Sequence, residues 1–80
     1  MQKQVAPEEL TQLFASNVRA RRLALGLSQG QLAERLQKHK PYVSEIENCK
    51  RTPWLPNLAI FADALETTPA ALLRQAKTSA

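Results

Sequence analysis

Apolar residues recur along this chain with the spacing of α-helices, and no stretch alternates in the way that a half-buried strand requires. The first segment carries an apolar face built from Leu10, Leu13, Phe14 and Val18. Prolines and glycines divide the chain into helical segments predicted at residues 7–25, 28–36, 40–48 and 56–65, with a short fifth one from Pro69. The pattern predicts a compact all-α bundle, with residues 1–80 forming a single domain.

Capping residues mark several of the predicted helix ends. Gly26 offers a left-handed stop after the first segment. Ser28, followed three residues later by Gln31, forms a capping-box pattern that begins the second segment. Thr68 before Pro69 is the corresponding start of the fifth segment.

The charge balance favours an anionic partner, because 11 Lys and Arg residues against 7 Asp and Glu residues give a net charge of +4 at pH 7. No apolar run approaches the roughly 18 residues of a membrane span, and we expect no signal peptide at the first residues. The single cysteine, Cys49, excludes an internal disulfide framework. A reducing cytoplasm is therefore the expected location.

Few side chains in this sequence suit catalysis. One histidine and one cysteine make neither a convincing zinc site nor a Cys-His nucleophile pair, and no glycine-rich loop is present to cradle a phosphate. We therefore expect a protein that is not an enzyme and that takes no metal, no cofactor and no small-molecule substrate. Cys49 is expected to be a bystander thiol, with redox sensing as the alternative.

Two motifs, "LSQGQLAERL" and "PYVSEIEN", follow one another in the middle of the chain. Together they resemble the helix-turn-helix of lambda-repressor-like domains, the phage Cro and repressor class of bacterial regulators. The likeness extends from about Val18 to Leu72. It implies a five-helix lambda-repressor-like bundle in which residues 28–36 form the supporting helix and residues 40–48 the recognition helix. In this class the recognition helix lies in the major groove of double-stranded DNA.

The resemblance implies a DNA-contacting surface on these two helices. Gln29 matches a phosphate-contacting position, and Lys40 can donate to guanine acceptors. Tyr42 can meet a phosphate or a thymine methyl, or can pack its ring on the turn. Glu45 can accept a hydrogen bond from cytosine or remain a solvated charge. The full expected DNA-binding set is Ser28, Gln29, Lys38, His39, Lys40, Pro41, Tyr42, Ser44, Glu45, Asn48, Lys50 and Arg51.

Other members of this set also have two interpretations. The basic cluster at residues 38–40 places His39 near the helix cap. It places Lys38 and Lys40 where phosphates would pass. Pro41 offers only shape and apolar contact. The Ser44 hydroxyl can reach a phosphate or bond back to the carbonyl one turn earlier. The polar side chains of residues 48–51 form either a phosphate-gripping cluster or a solvated basic loop.

Structural roles are expected for further residues. In the resembling family, the positions of Arg22 and Glu47 form an ion pair that links the first helix to the recognition helix. Arg21 is expected to be a surface charge that adds to the general field. Trp54 either covers the edge of the core or, with Leu55, anchors a dimer interface.

The sequence departs from the family pattern at three helix ends. Gln37, Cys49 and Glu66 stand where family members commonly have glycine. A side chain in the left-handed conformation costs about 1 kcal/mol or more. These turns are therefore expected either to differ locally or to be strained.

Taken as a whole, the sequence predicts a sequence-specific transcriptional regulator that binds a near-palindromic operator as a homodimer. The half-sites are expected one helical turn, roughly 34 Å, apart. A phage-type repressor, a restriction-modification controller protein and an antitoxin-like autoregulator all fit. The alternative is a protein-interaction module or antitoxin-like partner that keeps the fold with weak or no DNA reading. Residues 1–6 and 77–80 are expected to be flexible.

Overall fold

The computed structural model describes residues 6–75, and its regular structure in that range consists of five α-helices. They are α1 (Pro7–Ala24), α2 (Gln29–Leu36), α3 (Lys40–Glu47), α4 (Asn57–Ala64) and α5 (Pro69–Leu72). The five-helix all-α prediction is confirmed, and every helix boundary that the sequence predicts lies within one residue of the observed one. The expected flexible ends lie outside the described residues, apart from Ala6. None of the helices found between residues 6 and 75 is long and apolar enough to span a bilayer.

The helix ends follow the capping signals of the sequence. The Ser28 hydroxyl accepts a hydrogen bond from the backbone N–H of Gln31 at 3.0 Å. The Gln31 side chain accepts one from the backbone N–H of Ser28 at 2.8 Å, which completes the capping box. The Thr68 hydroxyl caps α5 by accepting from the backbone N–H of Ala71 at 3.1 Å. Gly26 ends α1 in the left-handed region, with a φ of 72°.

Within residues 6–75, three residues other than glycine also take the left-handed conformation. Gln37, Cys49 and Glu66 have φ angles of 58°, 60° and 58°, and they follow α2, α3 and α4. The backbone closes each turn as a glycine would. After α2, for example, the N–H of Lys38 donates to the carbonyl of Ala33 at 2.8 Å. The turns therefore keep the geometry that glycine favours and bear the strain of a side chain there.

The core lies where all five helices meet, and Phe61 of α4 and Phe14 of α1 are its largest side chains. Phe61 is 1% exposed, and its ring meets that of Phe14 edge-on at 5.3 Å between centroids. The other buried apolar residues of the cluster are Val18, Leu32, Ala33, Leu36, Val43, Ile46, Ala62, Leu65 and Leu72. Leu10 was predicted on the same buried face but is 43% exposed. That prediction is wrong because this part of α1 borders an open groove rather than a packed helix.

Arginine side chains bind the C-terminal end of α4 to the rest of the bundle. Arg21 of α1 donates to the carbonyls of Leu65 and Glu66 at 2.8 and 3.0 Å. Arg35 of α2 donates to the carbonyl of Ala64 at 2.7 Å. Both cations satisfy carbonyls at the negative end of the helix dipole. Arg21, expected as a surface charge, therefore also has a structural role that the sequence did not indicate.

Candidate nucleic-acid interface

Helices α2 and α3 pack against each other across the turn at residues 37–39. Val43 and Ile46 of α3 are 0% and 1% exposed, so one side of this helix faces the core. Residues three and four apart share a face of a helix. The opposite side, which we call the outward face of α3, therefore consists of Pro41, Ser44, Glu45 and Asn48. These side chains are exposed or half-buried, and together with the exposed Lys40 at the start of the helix they form the part of α3 that a DNA groove can reach.

A buried ion pair fixes α3 against α1. Arg22 Nε donates to Glu47 Oε2 at 2.6 Å and Arg22 Nη2 donates to Glu47 Oε1 at 3.0 Å, which makes the pair bidentate. Their side chains are 10% and 4% exposed. The hydrogen bond to Glu47 raises the pKa of Arg22 above its ordinary value, although burial opposes this. Arg22 Nη1 also donates to the carbonyl of Leu27 at 2.9 Å, so the pair holds α1, the following turn and α3 together.

Gln29, at the start of α2, is half-buried and bonded within the protein. Its Nε2 donates to Glu47 Oε1 at 3.1 Å, a partner that the sequence did not indicate. A side-chain amide has two N–H donors. One bond to Glu47 therefore leaves a second donor, and phosphate contact by Gln29 stays a prediction. Ser28 beside it is exposed, with its hydroxyl engaged in the capping box.

The basic cluster at residues 38–40 lies at the N-terminal end of α3. Lys38, His39 and Lys40 are all exposed, and Pro41 occupies the second position of the helix. His39 is the N-cap residue, but its side chain makes no capping hydrogen bond. The structure thus gathers two lysines and a histidine at the positive end of the α3 dipole, which is an environment that suits a phosphate.

The ring of Tyr42 packs inward. It stacks on Phe61 at 6.0 Å between centroids, and its hydroxyl accepts a hydrogen bond from Asn57 Nδ2 at 3.1 Å. Lys38 Nζ and Arg51 Cζ lie 5.2 and 5.3 Å from the centroid of the same ring. The ring therefore packs mainly on α4 rather than on the turn, as one interpretation expected, while contact of its half-exposed side with DNA stays a prediction. The ring also positions two cations beside α3 by cation–π attraction.

The polar side chains at the end of α3 bond to one another. Asn48 Nδ2 donates to the carbonyl and the hydroxyl of Ser44 at 2.8 and 3.3 Å. Arg51 Nε donates to Glu45 Oε1 at 2.9 Å. The sequence indicated neither pairing: it allowed Glu45, Asn48 and Arg51 DNA contact or solvation, and Ser44 a phosphate or a carbonyl of its own helix. Lys50 is exposed beside them, and phosphate contact by this cluster stays a prediction.

A second surface lies beside the loop between α3 and α4. Trp54 and Leu55 are 73% and 74% exposed, so the expectation that Trp54 covers the core edge is wrong. The loop carries it outward because the carbonyl of Trp54 starts the turn into α4, accepting from the N–H of Asn57 at 2.8 Å. Leu55 lines an open apolar groove of about 190 Å³, shared with Leu10, Phe14, Pro53, Leu58 and Leu73.

Cys49, the free thiol of the chain, is exposed at the left-handed turn after α3. Within residues 6–75 no three His, Cys, Asp or Glu side chains gather closely enough to hold a metal ion. The structure adds no partner that would support redox sensing by Cys49, and the described part of the chain supplies no reason to assign this residue a role in a site.

Comparisons with known proteins agree with this geometry. A family model described as helix-turn-helix matches residues 18–72. The control protein C.SmaI of Serratia marcescens is 40% identical over 68 residues, which cover 84% of this chain and 81% of that protein. The crystal structure of a hypothetical transcription factor, NHTF, from Neisseria matches with a TM-score of 0.80 at 29% identity, covering 94% and 87% of the two chains. The restriction-modification controller protein C.AhdI of Aeromonas hydrophila matches with a TM-score of 0.73 at 34% identity, covering 78% and 94%.

Proposed function

This chain belongs to the helix-turn-helix family of DNA-binding transcriptional regulators, and on that basis we propose that it acts in the cytoplasm as a homodimer on a near-palindromic operator. Each subunit places the outward face of α3 in the major groove of one half-site. The observation that carries the proposal is the flanking of this face by exposed cations at both ends of α3. The family consists of regulators and not of enzymes.

The charges around α3 divide between two kinds of DNA contact. Lys38 precedes the helix and Lys50 follows it, so that both can meet phosphates at the two edges of the groove. Lys40, the first residue of α3, is the cation best placed to donate to a guanine. The buried Arg22–Glu47 pair sets the direction in which α3 presents these groups.

Selection of bound sequences from a random duplex pool at two salt concentrations tests this proposal. We expect one inverted-repeat motif, with an affinity that falls steeply as salt rises. Lys40→Ala should cost about 1–3 kcal/mol at the cognate base and relax specificity there. Lys50→Ala should weaken all sequences alike and reduce the salt slope by about one. Weak binding without a recovered motif, even at low salt, would contradict the proposal and favour a protein-interaction module.

We propose further that two copies associate through the apolar groove beside the α3–α4 loop. Trp54 and Leu55 are large apolar side chains left in solvent next to a groove lined by apolar residues. Clustered exposure of this kind marks interaction surfaces, and tryptophan is enriched among the residues that dominate binding. A twofold interface uses the same patch on both subunits, so that each copy can supply both the anchor and the groove.

Trp54→Ser is therefore expected to weaken dimerisation by about 2 kcal/mol or more, which sedimentation equilibrium would measure. Because Trp54 is the one tryptophan of the chain, its emission in the unaltered protein should shift to shorter wavelength as the concentration rises. Leu23→Ser is the control, since Leu23 is 57% exposed but lies on a different face of α1 from Leu10 and Phe14. Equal dimerisation constants for the two variants would rule out this interface.

A further inference from the structure

The outward face of α3 carries a single charged side chain, and that charge is negative. Glu45 lies one turn after Pro41 and three residues before Asn48, in the middle of this face. Its carboxylate accepts from Arg51 Nε at 2.9 Å. The Arg51 guanidinium is held from a second side by the ring of Tyr42, at 5.3 Å from the centroid.

While Glu45 and Arg51 are paired, both side chains are poorly suited to bind DNA. A carboxylate in the middle of a groove-facing surface is repelled by the phosphates that the surrounding lysines attract. Meanwhile Glu45 holds the Nε of Arg51 and offsets the charge of the guanidinium that a phosphate would bind. Each charge therefore offsets the other in the free protein, and the full charge of either side chain becomes available to DNA only when the pair opens.

The Glu45–Arg51 pair is exposed to solvent, so it can open at low energetic cost. The side chains of Arg51 and Glu45 are 52% and 42% exposed, whereas those of Arg22 and Glu47 are 10% and 4% exposed. An exposed ion pair is weak because water and salt screen it. A buried pair cannot separate without stranding a charge away from water. Of these two ion pairs of α3, only Glu45–Arg51 can exchange its partners at low cost.

Resting on the function proposed above, we propose that Glu45 and Arg51 exchange partners when duplex DNA binds. Arg51 moves from the carboxylate to a backbone phosphate, and Glu45 accepts a hydrogen bond from the N4 amino group of a cytosine in the major groove. Cytosine is the base that presents a donor there without the neighbouring N7 acceptor that adenine has. Glu45 is thus a specificity-determining residue: guanine and thymine offer its carboxylate no donor in the major groove, and adenine places the N7 acceptor beside its donor.

The test compares the unaltered protein with Glu45→Gln, Arg51→Gln and a control, Glu34→Gln, which removes an exposed carboxylate from α2. Each is titrated against the selected operator, against operators in which each cytosine is replaced in turn, and against a random duplex. Glu45→Gln should bind the random duplex about threefold to tenfold more tightly and lose an about tenfold preference for cytosine at one symmetric position. Arg51→Gln should lower the slope of log affinity against log salt by about one. Glu34→Gln should keep the cytosine preference.

The outcomes separate this inference from the proposed function. An operator recovered by the unaltered protein together with an unchanged cytosine preference in Glu45→Gln would overturn the exchange and leave the regulator intact. An unchanged salt slope in Arg51→Gln would also overturn it, since Arg51 would then remain on Glu45 in the complex. If the unaltered protein recovers no motif and shows no salt dependence, the proposed function fails and the exchange fails with it.

Discussion

Replacing Glu47 by alanine is expected to lower the free energy of unfolding by about 3–5 kcal/mol, a large share of the roughly 5–15 kcal/mol that holds a small domain folded. The reason is that Arg22 would keep its charge in a site where its side chain is 10% exposed, with no carboxylate to balance it. Gln29 would lose its partner on the same carboxylate. Specific DNA binding should be lost as well, because this pair orients α3. Urea denaturation followed by helical circular dichroism measures the first effect.

The matched control is Glu45→Ala on the same helix. Glu45 is also paired with an arginine, but its side chain is 42% exposed, so the change should cost less than about 1 kcal/mol. Equal losses for the two variants would show that burial of the Arg22–Glu47 pair has no energetic role. A double variant, Arg22→Met with Glu47→Leu, should recover much of the lost stability, because no isolated charge is then left in the protein.

Phe61→Ala is expected to cost about 3–5 kcal/mol through the cavity it leaves. Phe61 is 1% exposed and contacts the rings of Phe14 and Tyr42, so its loss removes support from α1 and from α3 at once. Thermal unfolding measured by circular dichroism checks the loss. Under conditions in which the variant is still folded, its DNA binding should also weaken, because Tyr42 positions Lys38 and Arg51 from the same ring stack.

The neighbouring residue on α4 supplies the control for this change. Ile60 is 50% exposed, and Ile60→Ala deletes side-chain atoms that are largely in water already, so it should cost about 1 kcal/mol or less. If Phe61→Ala were no more costly than Ile60→Ala, the aromatic cluster would not be the centre of the core.

The helix boundaries were predictable from sequence because their signals are local. The Ser28–Gln31 capping box and the Thr68 cap each act within one helical turn, so four consecutive residues contain the information. Gly26 likewise ends α1 through its own backbone freedom. Membership of the family followed from the order and spacing of such residues, and the match over residues 18–72 confirms it.

The contacts that organise the candidate site were not predictable in this way. Tyr42 stacks on Phe61, which lies on another helix, and the approach of α4 to α3 is decided by the packing of the whole core. Arg51 reaches Glu45 across the left-handed turn at Cys49, and the sequence shows only two opposite charges six residues apart. The helical repeat alone does place Ser44 and Glu45 on the side of α3 opposite the buried Val43 and Ile46.

The loop before α4 shows the same limit. Proline residues on both sides of Trp54 and Leu55 predict a break in the helices, yet they do not determine on which side of the chain a tryptophan emerges. Its 73% exposure depends on how the turn at Asn57 begins α4. Leu10 is exposed for a related reason. It continues the apolar face of α1, but at this position the face borders an open groove.

The left-handed turns at Gln37, Cys49 and Glu66 bear on how long each molecule survives. Glycine at these sites would relieve about 1 kcal/mol of backbone strain each in the folded state. Part of that gain would be lost, because glycine also raises the conformational entropy of the unfolded chain. The remainder, about 1–2 kcal/mol over the three turns, corresponds to an unfolded population roughly ten times larger than that of the same fold with glycines. Proteases that cut only opened chains act in proportion to that population. The same three side chains that leave the fold unchanged therefore shorten the lifetime of the regulator.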